Sequence, residues 1–171
     1  MGRSNNEQKV TEKKWIRTLI GISIFAICYI VLYILLLSFY NHIMGPAIVA
    51  RSLTTYMPAS IVVPCVASLI TIFIGIALRI IYSCLVSKIF LIASLATLLI
   101  TFYNYLYFII LSRNIVVVIY PLFDLLSDGK HTIISLDLGQ VSLLGIAYLC
   151  RHEILNFLRN KLAKSKYREF K

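Results

Sequence analysis

Four long apolar stretches constrain this chain more than any other feature. They cover residues 15 to 40, 57 to 82, 89 to 111 and 132 to 150, and charged residues lie almost only at their ends. A hydrocarbon layer of about 30 Å requires roughly 20 helical residues. Helices satisfy their own backbone polar groups in lipid, so such stretches can cross it as helices. The pattern predicts an all-α, polytopic membrane protein with four transmembrane helices in a domain spanning residues 15–150.

The composition agrees with a chain embedded in lipid. Hydrophobic residues make up 60% of the 171 residues and charged residues 14%, whereas a soluble globular domain averages about 25% charged residues. The fourth stretch is the weakest prediction, because it has only 19 residues and contains Asp137, Gly139 and Gln140.

The placement of basic residues supports an even number of spans. With four spans, the N-terminal segment, the turn from Arg79 to Lys88 and the C-terminal tail lie on one side and carry 14 of the 17 Lys and Arg residues. The other side has only Arg51, Arg113 and Lys130. By the positive-inside rule, we expect both termini in the cytoplasm and the chain in the cell membrane.

The C-terminal tail, residues 151–171, has the pattern of a basic amphipathic helix. Its position next to the last span predicts contact with anionic lipid head groups, which accounts for the net charge of +10 without a nucleic-acid partner. The alternative is docking of this tail onto a partner protein. The predicted lipid contacts are Arg159, Lys161, Lys164, Lys166 and Arg168. The N-terminal residues 1–14 form a second basic cytoplasmic segment.

Small and weakly polar residues recur at helical spacing in the second and third stretches. Close packing and interhelical hydrogen bonds hold helices together in lipid, so we expect the two stripes to meet in a helical hairpin. The predicted packing face consists of Ser60, Ser68, Thr71, Gly75, Ser94 and Thr97.

Asp137 is the polar residue that most needs an explanation, because a carboxylate inside a span costs about 2.5 kcal/mol or more at the bilayer centre. Counting from the outer ends of their helices, Asp137 and Asn104 lie at similar depth, and Thr101 and Gln140 lie nearby. Three interpretations follow: an interfacial structural residue or helix cap, a proton or substrate site, and a contact with a partner.

The remaining residues predict no cofactor and no metal site. The four cysteines lie within or at the ends of apolar stretches without a Cys-x-x-Cys pair, and the three histidines lie near the predicted membrane boundaries. The apolar segment from 115 to 126 is too short to cross, so we expect an interfacial or re-entrant loop there.

These features favour a non-enzymatic integral subunit or accessory protein of a larger membrane complex, with other membrane subunits or copies of itself as partners. The alternative is an oligomeric transporter or channel with a proton or cation relay around Asp137, Asn104 and Gln140. An intramembrane enzyme that acts on lipid or quinone, using Asp137, His131 and the tyrosine-rich outer end of the third stretch, is the third hypothesis.

Overall fold

The structure is a computed structural model of the chain. It describes residues 3–50, 59–113, 115–127, 129, 131–157 and 159. These residues form four helices and one small sheet, in the order of three helices, three strands and a last helix.

Three helices have the length and composition to cross a membrane. Helix α1 covers Arg3–Ala50, α2 covers Ala59–Ile81 and α3 covers Leu85–Arg113. Their apolar parts are Glu12–His42, Ala59–Ile81 and Leu85–Leu111. The prediction of a mostly helical chain with long apolar helices is therefore confirmed for three of the four stretches.

A three-stranded antiparallel sheet follows α3, and the all-α prediction is wrong in this part. Strand β1 is Val116–Tyr120, β2 is Phe123–Ser127 and β3 is Thr132–Leu136, with β2 in the middle. The predicted loop from 115 to 126 is thus a hairpin. Strands β1 and β3 are rich in β-branched side chains, which favour extended backbone.

The predicted fourth span, 132 to 150, is divided at Asp137. Its first five residues are β3, and helix α4 covers only Leu138–Leu149, 12 residues. At about 1.5 Å per residue α4 is roughly 18 Å long, shorter than the hydrocarbon layer. Helical backbone resumes at residues 151–157 after a turn at Cys150, and every one of those seven residues is exposed.

Helices α2 and α3 pack as an antiparallel hairpin through small residues. A Cβ atom at Gly75 would lie 3.1 Å from Cδ1 of Leu91 and 3.2 Å from Cδ1 of Phe90. Further along, the hydroxyl oxygens of Ser68 and Thr101 are 3.4 Å apart. Gly21 brings α1 against Ile89 of α3 in the same way, so three helices meet around the first half of α3.

We predict that Gly75→Val destabilises the fold by about 1–3 kcal/mol, because the added methyl groups would press on Phe90 and Leu91. Thermal unfolding in detergent, followed by circular dichroism, measures the effect. Ala77→Val is the matched control, since Ala77 lies on the same helix but is exposed. Equal midpoints for the two variants would contradict this packing.

Candidate functional site

Two aspartates are completely buried where the sheet meets α4. Asp124 is the second residue of β2, and Asp137 lies between β3 and α4; both have 0% exposure. Burying a carboxylate is expensive unless it is hydrogen-bonded, paired with a cation or protonated. The surroundings of the two groups therefore decide their protonation.

Asp137 is the N-cap of α4. Its Oδ1 atom accepts a hydrogen bond of 2.8 Å from the backbone N–H of Gln140, three residues into the helix. Its Oδ2 atom accepts a longer one, 3.4 Å, from the hydroxyl of Tyr103 on α3. The helix-cap interpretation of Asp137 is confirmed, and each of its two oxygens accepts a hydrogen bond.

Asp124 has the opposite environment. Its register partners are Ile119 on β1 and Ser135 on β3, and no donor among the described residues reaches either of its carboxyl oxygens. Burial first, and then the neighbouring Asp137, raise the pKa of Asp124 above its ordinary value. A buried carboxyl without donors favours its protonated form.

Gly139 allows Tyr103 to reach this site. A Cβ atom at position 139 would lie 2.7 Å from Cε2 of the Tyr103 ring and 3.0 Å from Oδ1 of Asp137. Both distances are shorter than van der Waals contact, so only glycine fits between the ring and the carboxylate. The lack of a side chain at Gly139, in the first turn of α4, therefore leaves space for the Tyr103 ring next to Asp137.

Gln140 joins α4 to the turn between β1 and β2. Its side-chain Oε1 accepts from the backbone N–H of Leu122 at 2.8 Å, and its Nε2 donates to the carbonyl of Tyr120 at 2.9 Å. The backbone N–H of Asp137 donates to the carbonyl of Leu122 at 2.9 Å. Three hydrogen bonds thus fix the turn that precedes Asp124 to the start of α4.

The other residues of the predicted polar cluster lie apart from the two aspartates. Asn104 is exposed on α3. Thr101 is half-buried, and its hydroxyl donates to the carbonyls of Thr97 and Leu98 in its own helix. Of the predicted cluster, only Asp137 and Gln140 come together. The residue that sequence reasoning missed is Asp124, although it and Asp137 are two carboxylates in a segment that is otherwise largely apolar.

The remaining predicted sites are distributed as follows. Of the packing face, Ser68, Thr71, Gly75 and Ser94 are buried, Thr97 is half-buried and Ser60 is exposed. Among the predicted lipid contacts, Arg159 is exposed on helical backbone. The others, Lys161, Lys164, Lys166 and Arg168, lie outside the described residues.

An apolar cavity of about 320 Å³ lies beside the aspartates, between the sheet and the helices α2 and α3. Ser135, the register partner of Asp124, is on its wall, and so are Leu136 and Leu138, the two neighbours of Asp137. The remaining lining residues are apolar or aromatic side chains and one cysteine: Val62, Cys65, Val66, Phe102, Tyr105, Leu106 and Leu126.

Comparison with protein-family models, with curated proteins and with solved structures finds no match to this chain. Within the described residues, no three His, Cys, Asp or Glu side chains are grouped closely enough to hold a metal ion. The buried aspartate pair is therefore the starting point for a functional hypothesis.

We predict that Asp124→Asn stabilises the chain at neutral pH by about 1–3 kcal/mol, because it removes a buried ionisable group that has no donor. The raised pKa means that the folded chain binds this proton more tightly than the unfolded chain. Asp124 thus stabilises the fold most below its unfolded pKa, and this contribution is lost as pH rises through the folded pKa.

Thermal midpoints of the two proteins from about pH 4 to pH 8 measure this difference. The wild-type midpoint should fall relative to that of Asp124→Asn as pH rises. Glu153→Gln is a control of opposite sign, because a hydrogen bond from Lys88 lowers the pKa of Glu153. A wild-type midpoint that rises relative to Asp124→Asn over this range would refute the assignment.

Proposed function

We propose that this chain is a membrane-embedded hydrolase that cleaves a peptide bond with the Asp124 and Asp137 carboxyls as its catalytic pair. The observation that carries the proposal is that two fully buried aspartates lie at the same junction of β2 and α4, without a donor to Asp124 among the described residues. Two carboxyls that share one proton form the acid–base arrangement of aspartic proteases.

The surroundings assign a role to each carboxyl. Asp137 accepts two hydrogen bonds and is the base, and Asp124 carries the shared proton and is the acid. Asp137 takes a proton from water as the water oxygen bonds to the carbonyl carbon, and Asp124 gives its proton to the carbonyl oxygen. Asp137 then gives the water-derived proton to the amide nitrogen, the C–N bond breaks and the amine leaves. A hydroxyl of the tetrahedral intermediate returns its proton to Asp124, which leaves the carboxylic acid product and restores the pair.

Two contacts between α3 and the last helical segment support a fourth crossing of the membrane. Lys88, near the start of α3, forms an ion pair of 2.6 Å with Glu153, and Tyr103 contacts Asp137. These two contacts are separated by 15 residues on α3 and 16 on the other segment, or about 22–24 Å of helix. We therefore propose that the segment from Asp137 to Glu153 crosses most of the membrane as a fourth span.

The orientation follows from the basic residues. If the turn that contains Arg79 and Lys88 is cytoplasmic, both termini are too, and the aspartate pair lies in the outer part of the cell membrane. The apolar cavity beside the pair suits an apolar side chain of a membrane-bound peptide. Anionic lipid would then contact the basic tail on the cytoplasmic side.

The role of a non-enzymatic subunit is a second candidate. It is favoured by α1, whose apolar side chains are mostly exposed, such as Trp15 and Ile27 at 65% each. A partner helix in the membrane, or a second copy, would cover that face. The relay alternative draws on Asp137 as well, but Asn104 is exposed and Gln140 is bound to the β1–β2 turn. A stable complex with a second protein, together with full function of Asp124→Asn, would favour the subunit.

We predict that Asp124→Asn and Asp137→Asn each reduce hydrolysis by roughly 100- to 10,000-fold, because each removes one half of the acid–base pair. The full chain in lipid vesicles is incubated in heavy-oxygen water with apolar peptides derived from membrane-protein segments. Mass spectrometry then detects new C-termini that carry the heavy oxygen. Asp128→Asn is the matched control and should retain the wild-type rate.

Two results would contradict this proposal. One is heavy-oxygen incorporation at the same rate in wild type and both variants, which would assign the cleavage to a contaminant. The other is an absence of cleavage together with proton flux through vesicles that is lost in Asp124→Asn, which would assign the pair to a relay.

A further inference from the structure

The turn between β1 and β2 has an unfavourable backbone conformation. Leu122 has a φ of +70°, in the left-handed region, and it is the one residue other than glycine with a positive φ in the described part of the chain. That conformation costs a residue with a side chain about 1–2 kcal/mol, and glycine usually occupies it. An observed strain of this kind is a reason to look for what maintains it.

Gln140 supplies the contacts that maintain this turn. Its amide accepts from the N–H of Leu122 and donates to the carbonyl of Tyr120, so both of its polar atoms are used on the one turn. Its own backbone N–H meanwhile donates to Oδ1 of Asp137. Gln140 therefore contacts Asp137 directly. Through Leu122 it also contacts the start of strand β2, in which Asp124 lies two residues after Leu122.

We infer that Gln140 is the positioning residue of the aspartate pair: by holding Leu122 in its left-handed conformation, it keeps Asp124 beside Asp137. This inference rests on the proposed function for its catalytic meaning, but the geometry that it describes can be measured without a substrate. The groups that face Asp124 are Asp137 from the start of α4 and Tyr103 from α3.

Gln140→Met tests the inference, because methionine has a similar length and neither hydrogen-bonding group. The hydrogen bonds that it removes are exposed and lie at the outer end of the proposed fourth span, so water can replace them and the chain should still fold. The readout is the pH-dependent part of the difference in thermal midpoint between each protein and its own Asp124→Asn derivative. This difference reports the shift in the pKa of Asp124, to which burial contributes first and the neighbouring Asp137 second.

We expect Gln140→Met to lose most of that pH-dependent difference, and Leu122→Gly in the same chain to restore it, because glycine adopts a positive φ without the steric cost. Ser142→Ala is the matched control. Its hydroxyl is buried on α4 and donates only to Leu138 in the same helix, so it should lower the midpoint and leave the pH-dependent difference unchanged.

A pH-dependent difference in thermal midpoint that is as large in Gln140→Met as in wild type would overturn the inference. So would a loss that Leu122→Gly fails to restore, since the effect would then not act through the turn. If Gln140→Met does not fold, the comparison is made with Gln140→Asn, which keeps the amide but is too short to reach the turn. The pH-dependent difference is measured without a substrate. The positioning role of Gln140 can therefore be confirmed when the heavy-oxygen experiment fails, and it can be refuted when that experiment succeeds.

Discussion

The burial of Asp124 and Asp137 at one junction is the constraint on which this part of the molecule depends. The junction joins the middle strand of the sheet to the N-terminus of α4, and both side chains are buried. Two carboxylates in such a place would repel strongly, whereas a pair that shares one proton has a single charge. The proposed shared proton therefore lowers the cost of burying both groups, and Asp124→Asn, which removes one of them, is expected to stabilise the fold.

The surroundings of the two aspartates are asymmetric. Donors from Gln140 and Tyr103 reach Asp137, and none among the described residues reaches Asp124. Burial first, and then Asp137, raise the pKa of Asp124. Burying a carboxyl without a donor lowers stability, as is common at sites where activity and stability oppose each other.

The long helices could be predicted from the sequence because length and hydropathy alone determine whether a segment can cross lipid. The stretches at 57 to 82 and 89 to 111 correspond to α2 and α3 within a few residues. The sheet could not be distinguished from helix in the same way. The apolar stretch from 132 to 150 contains first a strand, with a two-residue period, and then a helix, with a period of about 3.6 residues. The Asp128–Gly129 pair between two apolar stretches was the signal for a hairpin, and the β-branched run before it was another.

The site was predicted only in part for a related reason. Asp137 and Gln140 are neighbours on one helix, so their proximity follows from local geometry. Asp124 reaches them only through strand pairing and a strained turn at Leu122, which neither periodicity nor spacing reveals. Asn104 was placed in the cluster by depth alone, and the structure puts it on an exposed face of α3.

Infrared spectroscopy of the full chain in lipid, with isotope-labelled aspartate, tests the shared proton most directly. Wild type should show the carbonyl band of a protonated carboxylic acid at neutral pH, and Asp124→Asn should lose it. Its absence from wild type at neutral pH would mean that both carboxyls are ionised and that the pair does not share a proton. Its persistence in Asp124→Asn would place the proton elsewhere, and either result would contradict the account.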